Sequence, residues 1–365
     1  MHIGLIIYGN LDLLSGGYIY DRMLVNHLIG QGDAVEVLSF PRRNYLLNFM
    51  DNFSNKLSRL VVGSQVDILL QDELNHPSLF ILNRHLQRMV DCPIISIIHH
   101  LRSSEMHHTW QNYLHRLIER HYLSNIDGFI YNSRTTQEAV EELISIKYTR
   151  ECPSLIAYPG KDRLNPEIAE TEVIDRAEKK GPLSLIFLGN LIPRKGLHIM
   201  LQALKGLNKD LWKLTVVGNQ FADVSYAEKV RDQTERYGLT GRVQFTGALT
   251  DRDLISLMKT SQLLVIPSSY EGYGIAYIEG MGFGLPAIGT VGGGAEEIIL
   301  AGINGFLVQP GDALTIRNHI EKLIQDRSLL AEMSLAALRS YENHSTWKNS
   351  MSSVRDFLVS LTAGN

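Results

Sequence analysis

Cysteine is nearly absent from this 365-residue chain, which carries only Cys92 and Cys152. They form no Cys-x-x-Cys pair, so neither a disulfide framework nor a zinc-thiolate site is indicated, and a reducing cytosol fits. No apolar run approaches the roughly 18 residues needed to span a bilayer. The opening run from Met1 to Tyr8 is strand-like and lacks the basic start and small-residue cleavage site of a signal peptide. A basic excess is missing too. The formal net charge is -4, whereas a phosphate-tracking surface needs clear positive charge, so bulk nucleic-acid binding is not expected. These absences predict a cytoplasmic protein, soluble or peripheral to the inner face of the membrane.

What is present is ordinary globular composition, 44% hydrophobic and 20% charged, in a chain long enough for two domains. Short apolar, β-branched runs recur at Ile3–Tyr8, Ala34–Phe40, Val66–Leu70, Pro93–Ile98, Gly128–Tyr131 and Leu155–Tyr158. Helical patterns such as Ile19–Gln31 and Thr135–Ser145 lie between them, and this alternation predicts a doubly wound parallel sheet. The charged stretch Arg163–Gly181, with Pro166 and a following Pro182, has no strand period and is read as a linker. The alternation then restarts at Leu183–Leu188, Lys213–Val217, Val243–Phe245, Leu263–Ile266, Pro286–Gly289 and Gly305–Val308. The predicted fold class is therefore α/β, two facing Rossmann-like doubly wound domains with an interdomain cleft. The domains are expected at 1–165 and 166–344, with a C-terminal helix, 345–365, crossing back to the first. Trp347, Met351, Val354, Leu358 and Leu361 give that helix a three-and-four apolar stripe.

The stretch Pro267–Ile299 carries the most chemistry. Glu271 follows the strand ending near Ile266, and Glu279 lies eight positions later on a helix beginning near Gly274. Two such carboxylates can accept hydrogen bonds from vicinal hydroxyls, which suits a sugar or a ribose, although both could also be solvated. Gly272, Gly274, Gly280, Gly282 and Gly284 permit close backbone approach to a ligand, with Tyr273 among them. Gly292, Gly293 and Gly294 precede Ala295, Glu296 and Glu297 after a strand, where bare amides at a helix N-terminus attract phosphate. Arg194 and Lys195, in Gly189-Asn190-Leu191-Ile192-Pro193-Arg194-Lys195-Gly196, could neutralise a diphosphate or merely be solvated.

In the first half, Gly16 and Gly17 open a helix after the first strand, but no G-x-G-x-x-G is present and an NAD-type site is poorly supported. His99 and His100 follow Pro93–Ile98 at the carboxyl edge where such sheets bind ligands. With His107 and His108 they raise a metal site, but no spacing repeats a ligand pattern, and none is expected. Arg102 and Glu105 could contact an acceptor or pair with each other. Pro41–Val62 interleaves Arg42, Arg43, Lys56 and Arg59 with apolar residues; a core-facing or acceptor-facing helix is preferred there over a membrane-contacting one.

The chain resembles family 4 of the retaining glycosyltransferases (glycosyltransferase group 1), with the GT-B arrangement. The resemblance is carried along nearly the whole length by SGGYIYDRMLVNHLIGQGDAVEVLS, PIISIIHH, IYNSRTTQEAV, FLGNLIPRKGLHIMLQAL, PSSYEGYGIAYIEGMGFGLPAIGT, GGGAEEII and AGINGFLVQPGD. It implies that Glu271 contacts the transferred sugar, Glu279 the ribose, Lys195 the diphosphate, and His99 the donor sugar near the reacting centre. Gly16 and Gly17 would form the first-domain loop, and Gly293, Gly294 and Ala295 would bring amides near the donor. Where the family often has arginine after the FLG glycine, this chain has Asn190, so part of the phosphate clamp falls to Arg194 or elsewhere. The implied reaction transfers a sugar with retention from a UDP- or GDP-linked donor and needs no cofactor or metal. The alternatives are a nucleotide-sugar epimerase of the same fold and a non-catalytic nucleotide-sugar-binding partner subunit. The sugar, the acceptor (glycan, lipid or small molecule) and the oligomeric state are not legible.

Overall fold

Strand residues Leu5, Ile6 and Ile7 are fully buried, as are Leu263, Leu264 and Val265, so successive side chains on both faces of these strands escape water. Strands of that kind suit the centre of a parallel sheet, where no face is left for polar residues. In the computed structural model, which describes residues 1–13, 15–105, 108–144 and 152–362, they build two parallel six-stranded sheets. The chain forms two compact units, Met1–Gly160 with Ser345–Asn365, and Lys161–His344.

The first sheet holds β1 (His2–Tyr8), β2 (Ala34–Phe40), β3 (Ile68–Asp72), β4 (Ile94–Ile98), β5 (Gly128–Tyr131) and β6 (Ser154–Ile156), ordered β2-β1-β3-β4-β5-β6. Ile3 of β1 pairs with Val35 on one side and Ile68 on the other, which fixes the register at the sheet centre. The second holds β7 (Leu183–Leu188), β8 (Trp212–Val217), β9 (Val243–Gly247), β10 (Leu263–Val265), β11 (Ala287–Thr290) and β12 (Gly305–Val308), ordered β12-β11-β10-β7-β8-β9. That is the Rossmann order, with the direction of winding reversing between β7 and β10.

The expected helix at 135–145 runs from Arg134 to Leu143, started by the Ser133 hydroxyl accepting from the Thr136 amide; Ser145 lies outside the described residues. The C-terminal helix, Trp347–Thr362, belongs to the first unit and packs on helix Gly16–Gly30, with the Tyr20 and Trp347 rings 5.9 Å apart. Its buried face is Trp347, Met351, Val354 and Leu358, as the apolar stripe requires.

Two expectations are corrected. The stretch Arg163–Gly181 is not a plain linker: helix Glu170–Glu178 buries Val173 and Ala177 and packs on helix Arg327–Glu342 within the second unit. Two buried side chains make too short a stripe to stand out against its charge. Nor is Pro41–Val62, read as a core-facing or acceptor-facing helix, a single helix. It breaks into Tyr45–Asn48, a 3-10 turn at Phe49–Phe53 and helix Asn55–Gly63. There Leu57 and Val61 are buried, while Leu46, Leu47, Met50, Phe53 and Leu60 are exposed.

Candidate active site

Ligands of doubly wound sheets bind beyond the carboxyl ends of the strands at the switch point. In the second unit the loops leaving that point are 189–196 after β7 and 266–274 after β10, and they carry Lys195 and Glu271. The Lys195 ammonium lies 2.6 Å from Glu271 Oε1, to which the Ser268 hydroxyl also donates at 2.5 Å. Arg194 Nη1 donates to the Tyr270 carbonyl at 2.7 Å and sits 3.7 Å from Glu271 Oε2. Both cations therefore converge on one buried carboxylate. Burial opposes its charge, but Lys195, Arg194 and Ser268 outweigh that and hold Glu271 at a pKa of about 2. The same burial pushes the Lys195 ammonium down, and the pair only partly offsets it.

Glycines set this geometry by letting backbones touch. Gly196 has φ +73, and a Cβ there would meet the Pro267 carbonyl oxygen at 2.0 Å. Gly293 and Gly294 lie against the loop of Glu271: a Cβ on Gly294 would stand 2.5 Å from the Gly272 carbonyl oxygen and 2.4 Å from Tyr273 Cα. The Gly294 amide donates to the Glu271 carbonyl at 2.8 Å, and the Gly292 amide to Glu296 Oε1 at 2.6 Å. These two amides thus brace loops, and only a 3-10 turn, Gly294–Glu297, follows them. Gly274, at φ +103, caps helix Ile275–Gly282, which carries Glu279. Glu279 accepts from Arg163 Nε at 2.5 Å, and Arg163 Nη1 reaches Asp251 at 2.7 Å. Burial pushes Glu279 above the ordinary glutamate value, against the pull of Arg163. Tyr273 is buried, with its hydroxyl 3.3 Å from His344 Nε2. Asn190 turns to the neighbouring loop, its side-chain oxygen accepting from the Asn219 amide at 3.4 Å.

In the first unit Gly16 and Gly17 open helix Gly16–Gly30, and a Cβ on Gly17 would lie 2.9 Å from the His99 ring. His99 is 5% exposed, and its Nε2 lies 3.1 Å from Asp21 Oδ1 on the same helix. Burial disfavours the imidazolium, but Asp21, then Asp72 and Glu73, prevail and raise His99 to about 9. Asp72, fully buried at the end of β3, is raised by burial and by Asp21, and neither Asp21 Oδ2 nor Asp72 Oδ2 has a hydrogen-bond partner. His100 Nε2 lies 2.9 Å from Glu105 Oε1, and the Glu105 amide donates to the Arg102 carbonyl at 3.1 Å; the Arg102 amide donates to Glu119 at 2.6 Å.

Among the described residues two groups lie close enough to share a cation, Asp21 with Asp72 and His99, and Glu73 with His76 and Glu119. In the second, both imidazole nitrogens are engaged, Nδ1 with the Glu73 carbonyl and Nε2 with the Tyr45 hydroxyl, each at 2.9 Å. In the first, His99 Nε2 faces Asp21 Oδ1, while Asp21 Oδ2 and Asp72 Oδ2 accept no hydrogen bond. His107 lies outside the described residues, and His108 is exposed ahead of helix Thr109–Leu123. Sequence reasoning missed Asp21, Asp72, Arg163 and Ser268. Only Asp72 had a signal, an acid at the carboxyl end of a strand.

Residues 169–339 match the glycosyl transferases group 1 family. The D-rhamnosyltransferase WbpZ of Pseudomonas aeruginosa is 29% identical over 62% of this chain and 58% of its own length. An uncharacterized glycosyltransferase of Methanocaldococcus jannaschii is 30% identical over 40% of this chain and 39% of its own, so the chain spans well under two thirds of these relatives. Sucrose-phosphate synthase from Thermosynechococcus elongatus superposes with a TM-score of 0.82 at 17% identity, covering all of both chains. Anabaena HepE in complex with UDP-glucose gives 0.77 at 20% identity, over 99% of this chain and 100% of that one. The fold is that of the GT-B glycosyltransferases. Through residues 169–339 of its second unit the chain is thus similar to the glycosyl transferases group 1 family.

Proposed function

We propose that this protein is a retaining glycosyltransferase that moves a sugar from a UDP- or GDP-linked donor to a glycan, lipid or small-molecule acceptor. The observation that carries the reading is the convergence of Lys195, Arg194 and Ser268 on Glu271 at the switch point of a group 1 domain. It is supported by Anabaena HepE, whose structure holds UDP-glucose in the same fold.

In this reading Glu271 accepts hydrogen bonds from hydroxyls of the transferred sugar, and Glu279 from the ribose. Lys195 and Arg194 turn from Glu271 toward the diphosphate as negative charge develops on it. Charge placed in advance of the transition state is commonly the largest catalytic contribution, and these two cations need no metal or cofactor beside them. His99, held as an imidazolium by Asp21, donates to the donor sugar. In the second unit Gly272, Tyr273, Gly274, Gly293 and Gly294 shape the donor site through backbone, and in the first Gly16 and Gly17 open the helix beside His99. No side-chain nucleophile takes part; a covalent sugar adduct trapped on Glu271 would overturn that element.

The test is thermal unfolding against a panel of nucleoside diphosphates and nucleotide sugars. A ligand bound only by the folded state adds about 2.7 kcal/mol of stability at a hundredfold excess over Kd. One nucleotide should stabilise the protein selectively, and Glu279→Ala should remove the effect. Equal responses of wild type and variant would refute the ribose assignment.

A further inference from the structure

A surface helix ordinarily turns its apolar side inward and its charges outward. Helix Thr109–Leu123 buries His115, Ile118, Glu119 and Tyr122, and presents Trp110, Tyr113, Leu114 and Leu117, which are 67, 66, 37 and 48% exposed. Spacings of three, four and seven put these four on one outer face. The broken segment beside it repeats the pattern, with Leu46, Leu47, Met50 and Phe53 at 70, 50, 64 and 74%. The two elements adjoin: Tyr45 packs edge to face on the buried His115 ring at 4.7 Å, and on the outer side Phe80 bridges Phe49 and the exposed His121, with ring centroids 5.5 and 6.0 Å away.

The charge around this face has one sign. Arg42, Lys56, Arg59, Arg116 and Arg120 are exposed, while the only acids in residues 41–62 and 109–123, Asp51 and Glu119, are buried. This is a local cationic field on a chain whose formal net charge is -4. Aromatic and aliphatic side chains ringed by arginine and lysine fit a layer that is anionic at its surface and apolar a few ångströms below. A second copy of the same face fits poorly, because a two-fold contact sets these cations against their own images.

We propose that this face of the first unit docks on the surface of an anionic lipid bilayer, with Trp110 and Phe53 entering the headgroup boundary.

The chain supplies its own reporter. Of its three tryptophans, Trp212 and Trp347 are 0 and 3% exposed, so a change in emission on adding vesicles belongs to Trp110. The experiment adds vesicles of phosphatidylcholine, alone or mixed with phosphatidylglycerol, to the full chain without donor or acceptor. It follows co-sedimentation and tryptophan emission. Expected are binding to the mixed vesicles, a blue shift in emission, and release as salt rises from about 0.1 M to about 1 M. Trp110→Phe should keep binding and lose the shift. Trp110→Ser with Phe53→Ser should abolish binding, and Arg116→Ser with Arg120→Ser should weaken it about thirtyfold. All replaced side chains are exposed or half-exposed, so unchanged thermal unfolding certifies the variants. No binding to either vesicle, or equal binding to both, overturns the proposal. So do concentration-dependent dimers in sedimentation velocity that the Trp110 and Phe53 changes dissolve, since the face would then belong to a second copy.

Discussion

Glu271 shows how a buried carboxylate is kept ionised and what that makes measurable. Its pKa of about 2 lies below the 4.5 of an ordinary glutamate. The pair therefore contributes its full stability above about pH 4.5 and loses it as pH falls toward 2. Glu271→Gln leaves a buried ammonium without its counter-charge and should cost about 3–5 kcal/mol at neutral pH. Urea unfolding of wild type and variant from pH 7 to pH 2 should show that gap narrowing below about 4.5. A gap independent of pH would mean that the carboxylate's charge contributes nothing. The sign reverses for His99. With its pKa raised to about 9, the contact with Asp21 stabilises fully below about 6.5 and fades as pH climbs through 9. The His99 ring should titrate by NMR near 9, and Asp21→Asn should lower that by about one unit or more. Lys195, Glu271, Glu279 and His99 were legible in the sequence because each sits in a local signature. Their partners were not. Arg163 and Glu279 are 116 residues apart, Asp21 and His99 78, and no spacing along the chain encodes such a meeting.

At the level of elements, the strand and helix alternation was readable because buried parallel strands are apolar on both faces. Where the first unit departs from that rule, between β2 and β3, periodicity misled. Basic residues interleaved with apolar ones read as one helix facing a core or an acceptor; the structure breaks it into three pieces and turns most of those apolar side chains away from the core. Glycines were legible as markers of close approach, but the approach at Gly293 and Gly294 is of one loop to another. Gly294→Ala should push the 271–273 loop away at a cost of about 1–3 kcal/mol. Because that loop carries Glu271, nucleotide-sugar affinity should fall while affinity for the bare nucleoside, held through Glu279, changes less. Calorimetric titration of the variant checks this, and an equal loss for both ligands would place the effect elsewhere.

For the molecule as a whole, the second unit is one continuous stretch, Lys161–His344, with its own sheet and its own fully buried Trp212. Expressed alone, it should fold cooperatively and keep the nucleotide-dependent rise in melting temperature of the full chain, since Arg163, Lys195, Glu271 and Glu279 all lie within it. A folded fragment blind to every nucleotide that the full chain binds would show that this inventory is incomplete. The first unit is written in two pieces. Its last helix, Trp347–Thr362, closes over helix Gly16–Gly30, and Gly160 leaves room for the Trp347 amide nitrogen, which would stand 2.0 Å from any Cβ there.

That closure has a consequence for how the protein is made. A ribosome releases the entire second unit before it releases the helix that completes the first. The later unit can therefore assemble from local contacts while the earlier one waits with Tyr20 lacking its Trp347 partner. The nascent chain should spend that interval as a substrate for chaperones, and its order of folding should run against its order of synthesis.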